Sequence, residues 1–176
     1  MLTSDQVRSF EENGYLVIPS AIDGDCLERI RSEYCELLND LYQSWYELNL
    51  VESDPAGLSF WQQLQIAYEA GCDWFQPMDI SLPGDEIAPN TPMHFGPAVF
   101  NLLTHKNILE IVASLIGSEI TSTPIQHVRI KPPSQLLAKD EVRAHITKTD
   151  WHQDKGVALE EADKTKMITV WIAITD

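Results

Sequence analysis

Cysteine is scarce in this chain, and its few copies are not arranged as metal ligands or bridges. Three cysteines occur in 176 residues, at Cys26, Cys35 and Cys72, and no two of them form a C-x-x-C pair. An odd number with such wide spacing argues against a disulfide framework and against a cysteine-based zinc site. A reducing compartment is therefore expected, and we predict a cytoplasmic protein.

Basic residues and long apolar runs are also sparse. The chain has 12 Lys and Arg against 27 Asp and Glu, which gives a formal net charge of −15. Nucleic acids and anionic membranes both attract basic side chains, so this charge argues against either partner. No apolar run is long enough to span a membrane, and the first residues lack the basic start of a signal peptide. We expect a small-molecule substrate as the partner, and the oligomeric state stays open.

Helical signals dominate the N-terminal part of the chain. Thr3 followed by Gln6 is a capping-box pattern that predicts a helix start. Asp23 is a candidate N-cap for a long helix with one apolar stripe, and further helices are predicted over 60–70 and 104–115. The stripe consists of Leu27, Ile30, Tyr34, Leu37, Leu38, Leu41, Trp45 and Leu48.

Three segments carry the pattern of β-strands. Residues 15–19 are apolar and end at a proline, which is typical of a buried strand. After Gly117 the apolar spacing changes from that of a helix to that of a strand, and residues 125–131 and 167–174 alternate in this way. The polar segment 134–149 between them predicts a long loop, and loops of that length are often functional.

The order of these elements, with helices first and strands second, predicts an α+β fold. The length suits a single domain over residues 1–176, which is large enough to bury a core without disulfides. We predict a helical part over about 1–117 and the start of the β-structure over about 118–176.

The most informative motif is Trp151-His152-Gln153-Asp154. On extended backbone, side chains two positions apart share a face, so His152 and Asp154 are expected to converge on one point. Imidazole and carboxylate are two thirds of the facial triad of non-haem Fe(II) oxygenases. All five histidines lie at or before this motif, so no second histidine follows it. A His-x-Asp pair also arises by chance about 0.4 times in such a chain, so a surface histidine beside a strand-end aspartate is the alternative.

Three segments, in their order along the chain, resemble the phytanoyl-CoA dioxygenase family. They are residues 127–133 (His-Val-Arg-Ile-Lys-Pro-Pro), residues 151–154 (Trp-His-Gln-Asp) and residues 169–176 (Thr-Val-Trp-Ile-Ala-Ile-Thr-Asp). The opening, residues 2–18, is similar to the first helix and first strand of that family. The resemblance implies a double-stranded β-helix, a cupin-like jelly roll with N-terminal flanking helices, that uses Fe(II), 2-oxoglutarate and O2.

The same resemblance implies the site residues. His152 and Asp154 are the expected iron ligands, and Trp171 and His127 are expected to line the 2-oxoglutarate pocket. For Trp171 the alternative is core packing, and for His127 it is a strand histidine that is hydrogen-bonded in the core or exposed to water. We expect no catalytic residue beyond the metal ligands.

The resemblance also implies the reaction. Related halogenases carry a small residue at the position of Asp154, so aspartate there favours hydroxylation. We expect a dioxygenase that hydroxylates an aliphatic C–H bond of a small-molecule or acyl substrate, with release of succinate and CO2.

One part of the family's pattern is missing. Its second metal-binding histidine and the arginine that pairs with 2-oxoglutarate come later, on strands that this chain does not contain. We therefore expect the N-terminal portion of a longer protein, truncated before the last strands, and expect the 176 residues alone to be inactive. Two alternatives stay open: a jelly-roll module that binds without catalysis, and a zinc or manganese site of the cupin type.

Overall fold

In the computed structural model, all regular secondary structure among the described residues is helical, and irregular segments join the helices. The structure describes residues 1–72, 78, 89, 94, 96–122, 127–141, 147, 152, 154–157 and 159–175. Within these ranges the α-helices are α1 (Ser4–Asn13), α2 (Gly24–Glu47), α3 (Phe60–Glu69), α4 (Pro97–Leu103) and α5 (Lys106–Ile116). Short 3-10 helices lie at Ser134–Leu136, Asp154–Val157 and Glu160–Ala162.

Side-chain caps fix where two of these helices begin. At α1 the Thr3 hydroxyl accepts from the Gln6 amide at 3.2 Å, and the Gln6 side chain accepts from the Thr3 amide at 2.9 Å. Ser59 and Gln62 form the same capping box at α3. Gly14 ends α1 with a φ of 77°, a conformation that glycine adopts without steric cost. The predicted start of α1 is therefore confirmed.

The buried stripe of α2 differs in two respects from the predicted one. Its most buried side chains repeat at every fourth residue: Cys26, Ile30, Tyr34, Leu38 and Tyr42. A spacing of four advances about 40° per step around a helix of about 3.6 residues per turn, so the stripe winds across the surface. Cys26 and Tyr42, at the two ends of this stripe, therefore lie outside the stripe that was predicted from the sequence. Leu48 was predicted in the stripe but is 67% exposed, and it follows Glu47, the last residue of α2.

The chain divides into two compact units. The first comprises residues 1–30, 97–122 and 151–176. In this unit the N-terminus is attached to α5, because the Met1 amino group lies 3.2 Å from a Glu110 carboxylate oxygen. One residue further on, the Leu2 amide donates to the Ser114 hydroxyl at 3.2 Å. These two contacts hold the start of α1 against the acidic and hydroxyl side chains of α5.

The second unit comprises residues 31–96 and 123–150. Its α3 carries Tyr68, whose hydroxyl accepts from the Ala138 amide and donates to Glu141, both at 3.1 Å. Gln63, also on α3, is 2% exposed and donates to the Asn39 side chain at 2.6 Å. The polar side chains of α3 thus join α2 on one side and the segment around residue 140 on the other.

The predicted double-stranded β-helix is wrong for the described part of the chain, and so is the β half of the α+β fold. No described residue lies in a β-strand or a sheet. Residues 15–18, 127–133 and 167–173 are irregular, with Val17 75% exposed and Val170 44% exposed. Alternation shows which side chains share a face, but a strand exists only when its backbone groups bond to a neighbouring strand. None of the described segments provides that neighbour.

Two features bear on the expected surroundings of the chain: the length of its helices and the state of its cysteines. Among the described residues, no single helix is both long and apolar enough to cross a membrane, although α4 and α5 taken together as a bent pair meet the criterion of length and composition. None of the three cysteines is joined in a disulfide, and Cys26 is buried. The single domain over 1–176 stays a prediction.

Candidate metal centre

His152 and Asp154 lie side by side, as the motif predicts. The imidazole Nε2 of His152 is 3.0 Å from Oδ1 of Asp154. Asp154 begins the 3-10 helix Asp154–Val157 instead of continuing a strand. The two side chains therefore meet across the start of a turn, and the strand alternation that the sequence suggested is not what joins them. Trp151 and Gln153, the other members of the motif, lie outside the described residues.

The second oxygen of Asp154 has a different partner. The Thr169 hydroxyl donates to Oδ2 of Asp154 at 2.5 Å, which is the length of a strong hydrogen bond to a charged acceptor. Each carboxylate oxygen of Asp154 thus has its own neighbour, His152 at Oδ1 and Thr169 at Oδ2. The sequence did not single out Thr169. Its one signal was a polar side chain on the same predicted face as Trp171, in an otherwise apolar segment.

The geometry of the pair fits a shared metal ion. Two ligand atoms bound at about 2.1 Å and at a right angle lie about 3.0 Å apart, which is the separation expected of neighbouring ligands in a facial triad. The observed Nε2–Oδ1 distance is 3.0 Å, and the side chains are 53% and 44% exposed, so an ion reaches them from solvent. Without an ion, the same distance suits a hydrogen bond between imidazole and carboxylate.

Trp171 lies two residues beyond Thr169 and is 72% exposed. Core packing, the alternative weighed for this ring, is therefore not what the structure shows. Thr169 and Trp171 lie on the same irregular segment, in the same unit as Asp154.

His127 belongs to the second unit, whereas His152, Asp154, Thr169 and Trp171 all belong to the first. Its side chain is exposed. In the same segment, the Lys131 ammonium donates to the Thr147 carbonyl at 2.6 Å and so attaches this segment to residue 147. The place of His127 in the site stays a prediction from the resemblance.

A third metal ligand is not found in the described ranges. Within them, no group of three or more His, Cys, Asp or Glu side chains is placed to hold an ion. His94 and His105 are in other surroundings: His94 pairs with Glu33, and His105 caps α5. His145 lies outside the described residues. The described part of the candidate centre therefore consists of two side chains, His152 and Asp154, each with one candidate ligand atom, and the Thr169 hydroxyl bonded to Asp154.

A shallow groove lies in the same unit as the pair. Its volume is about 410 Å³, and it is lined by Phe10, Leu115, Ile116 and residues 163–168. The apolar side chains are accompanied by two ammonium groups, from Lys164 and Lys166. Ile168, the last lining residue, directly precedes the threonine that bonds Asp154. The segment that forms one wall of the groove thus continues into the candidate centre.

The family of the chain is shown by comparison with known proteins. No curated protein and no solved structure gave a significant match. The family profile described as phytanoyl-CoA dioxygenase (PhyH) matches residues 10–176, which is all of the chain except its first nine residues. That range includes the His-x-Asp motif, Thr169 and Trp171. The chain therefore belongs to the phytanoyl-CoA dioxygenase family.

Proposed function

We propose that this chain provides two iron ligands, His152 and Asp154, of an Fe(II)- and 2-oxoglutarate-dependent dioxygenase. The family implies an oxygenase-type function. The single observation that supports these two ligands most strongly is the 3.0 Å separation of Nε2 and Oδ1, because it suits adjacent positions on one ion. The zinc or manganese alternative of the cupin type has no such support from the family.

The side chains of this pair have distinct tasks in the proposal. His152 would bind through a neutral imidazole nitrogen, and Asp154 would bind through Oδ1, while Oδ2 stays with the Thr169 hydroxyl. Bound Fe(II) would supply open positions for the oxoacid and O2. The protein would contribute the orientation of both ligands, and we propose no catalytic residue beyond them.

Trp171 and His127 are proposed to line the 2-oxoglutarate pocket. For Trp171 the support is its exposed indole, two residues from the threonine that bonds Asp154. For His127 the support is the family membership and the position of the residue in the matched range. Neither residue is proposed to act on the substrate directly.

The proposed reaction is hydroxylation of an aliphatic C–H bond, with conversion of 2-oxoglutarate to succinate and CO2. A carboxylate at position 154 supports hydroxylation over halogenation, because it occupies the place that a halide would need. The apolar side chains of the groove in the first unit support a small-molecule or acyl substrate.

A reducing, cytoplasmic location completes the proposal. It is supported by the cysteines, since none of Cys26, Cys35 and Cys72 is joined in a disulfide. The excess of acidic over basic residues supports a small-molecule partner over a nucleic acid.

The second candidate is a module that binds a ligand without catalysis. One observation favours it: in the part of the chain that the structure describes, no third protein ligand accompanies His152 and Asp154. Iron-dependent turnover separates the two candidates, because a binding module converts no 2-oxoglutarate whichever metal is added.

The test is succinate formation from 2-oxoglutarate by the complete natural protein, with and without Fe(II). Asp154→Asn keeps the size of the side chain and removes its charge, and we expect it to lower turnover by about 100-fold or more. Asp140→Asn is the matched control, because it makes the same change at an exposed position outside the site. We expect the control to convert 2-oxoglutarate at the wild-type rate.

Two results would count against the proposal. Wild-type turnover by Asp154→Asn would remove this carboxylate from the metal site. Failure of the wild-type protein to form succinate with Fe(II), when it still binds 2-oxoglutarate, would favour the binding module.

A further inference from the structure

We infer that Thr169 is a positioning residue, which orients the Asp154 carboxylate for one-oxygen binding of the metal. This inference rests on the proposed function and deepens it, because it concerns how the ligand is held. Its starting point is the 2.5 Å hydrogen bond from the Thr169 hydroxyl to Oδ2 of Asp154. A hydroxyl has one proton to donate, and here a carboxylate oxygen accepts it.

The orientation of Asp154 needs such a restraint. The side chain is 44% exposed, so packing alone does not fix it. The terminal torsion of aspartate is broad, and a free carboxylate can offer one oxygen or both to an ion. With Oδ2 bound to Thr169, Oδ1 is the oxygen that remains beside Nε2 of His152, at 3.0 Å. The hydroxyl thus selects which oxygen serves as the ligand.

The same bond places the segment that carries Trp171. Thr169 lies 15 residues after Asp154, and the bond brings these distant positions together. Trp171, two residues later, is proposed to contact 2-oxoglutarate. The Thr169 hydroxyl therefore has two effects. It orients the Asp154 carboxylate, and it holds the segment that carries Trp171 close to Asp154. Partners of this kind, bonded to a ligand but not to the metal, commonly change metal affinity by about 10–100-fold when they are removed.

A purely structural role makes a different prediction. If the bond only closed the loop between residues 154 and 169, its loss would lower stability and leave the affinity for a metal unchanged. A shape requirement would give another pattern, since valine has the same shape as threonine and serine does not. Metal affinity in a valine and a serine variant separates these cases.

The experiment is a titration of the complete natural protein with Co(II), followed by visible absorption. Thr169→Val removes the hydroxyl and keeps the branched shape, and we expect the affinity for Co(II) to fall by about tenfold, together with altered absorption bands. Thr169→Ser keeps the hydroxyl, and we expect it to bind within about threefold of wild type. Thr175→Val makes the same change later in this segment and serves as the matched control, with unchanged affinity.

The outcomes distinguish this inference from the function on which it rests. Wild-type Co(II) affinity in Thr169→Val, together with lost affinity in Asp154→Asn, would overturn the positioning role and leave the metal site intact. Equal weakening in the valine and serine variants would overturn it as well, because the hydroxyl would then not be the cause. A wild-type protein that binds no Co(II) would overturn the metal site and this inference together.

Discussion

At the scale of single residues, the close contact between His94 and Glu33 requires a glycine at position 96. His94 Nε2 and Glu33 Oε1 are 2.8 Å apart, and their side chains are 16% and 15% exposed. The Tyr34 ring packs edge-on against the His94 ring, with centroids 5.5 Å apart. A Cβ at Gly96 would overlap both Glu33 Oε1 and His94 Nε2. Only glycine fits beside this pair in its present position.

Gly96→Ala is therefore expected to lower the free energy of unfolding by about 1–3 kcal/mol, because the pair must separate or the backbone must move. Urea denaturation measures the change. Gly24→Ala is the matched control, since a Cβ there meets no heavy atom within 4 Å. Equal stability of the two variants would show that the His94–Glu33 pair yields to the methyl group at no cost.

The residues of the candidate centre differ in how far sequence reasoning can reach them. His152 and Asp154 could be named from the sequence, because a separation of two residues is local and the residue types are those of metal ligands. Thr169 could not, because its bond to Asp154 spans 15 residues and threonine is common in apolar segments. A contact of that range depends on the path of the chain between them.

At the scale of elements, one carboxylate and one imidazole join the starts of α2 and α5. Oδ1 of Asp23 accepts from the Cys26 amide at 2.8 Å and caps α2. Oδ2 lies 3.1 Å from Nε2 of His105, whose Nδ1 accepts from the Asn107 amide at 3.3 Å and caps α5. Because Nδ1 is an acceptor here, Nε2 carries the proton and donates to Asp23.

This double role gives Asp23 a pH-dependent contribution to stability. The Cys26 amide, followed by the His105 side chain, lowers the pKa of Asp23 below its usual 3.8. A carboxyl whose pKa is lower in the folded chain stabilises it above the unfolded pKa and loses that contribution as pH falls through the folded pKa.

We expect Asp23→Ala to lower the melting temperature at pH 7, because α2 loses its cap. The difference from wild type should then narrow as the pH falls below 3.8, since the wild-type carboxylate becomes protonated. Thermal melts at several pH values measure both effects. Asp40→Ala, which removes a carboxylate from the middle of the same helix, is the control. A difference that grows towards low pH would contradict this account of the cap.

Helices and strands also differ in how well the sequence predicts them. The capping box of α1 and the cap of α2 by Asp23 lie within a few residues of the helices that they start, so the sequence contains the whole signal. The predicted strand over 167–174 needed a partner from elsewhere, and alternation alone does not provide one. Trp171 on this segment is accordingly exposed and not packed in a sheet.

At the scale of the whole molecule, family and secondary structure depend on different properties of the chain. The family profile matches residues 10–176 because particular residues occur in a particular order. Secondary structure depends on which backbone groups are bonded, and the described residues bond within helices and turns. The order of the motifs could therefore be recognised in the sequence, whereas the presence of strands could not be predicted from it.

The most direct test of the central claim is the number of Fe(II) ions bound per chain, measured by anaerobic equilibrium dialysis of the complete natural protein. Wild type should bind one ion, whereas His152→Ala and Asp154→Asn should each bind none at the same free Fe(II) concentration, because both ligand atoms at the 3.0 Å separation are required. His105→Ala, which removes a histidine from a helix cap, should still bind one. One ion in all of these variants would contradict this account and show that other residues hold the iron.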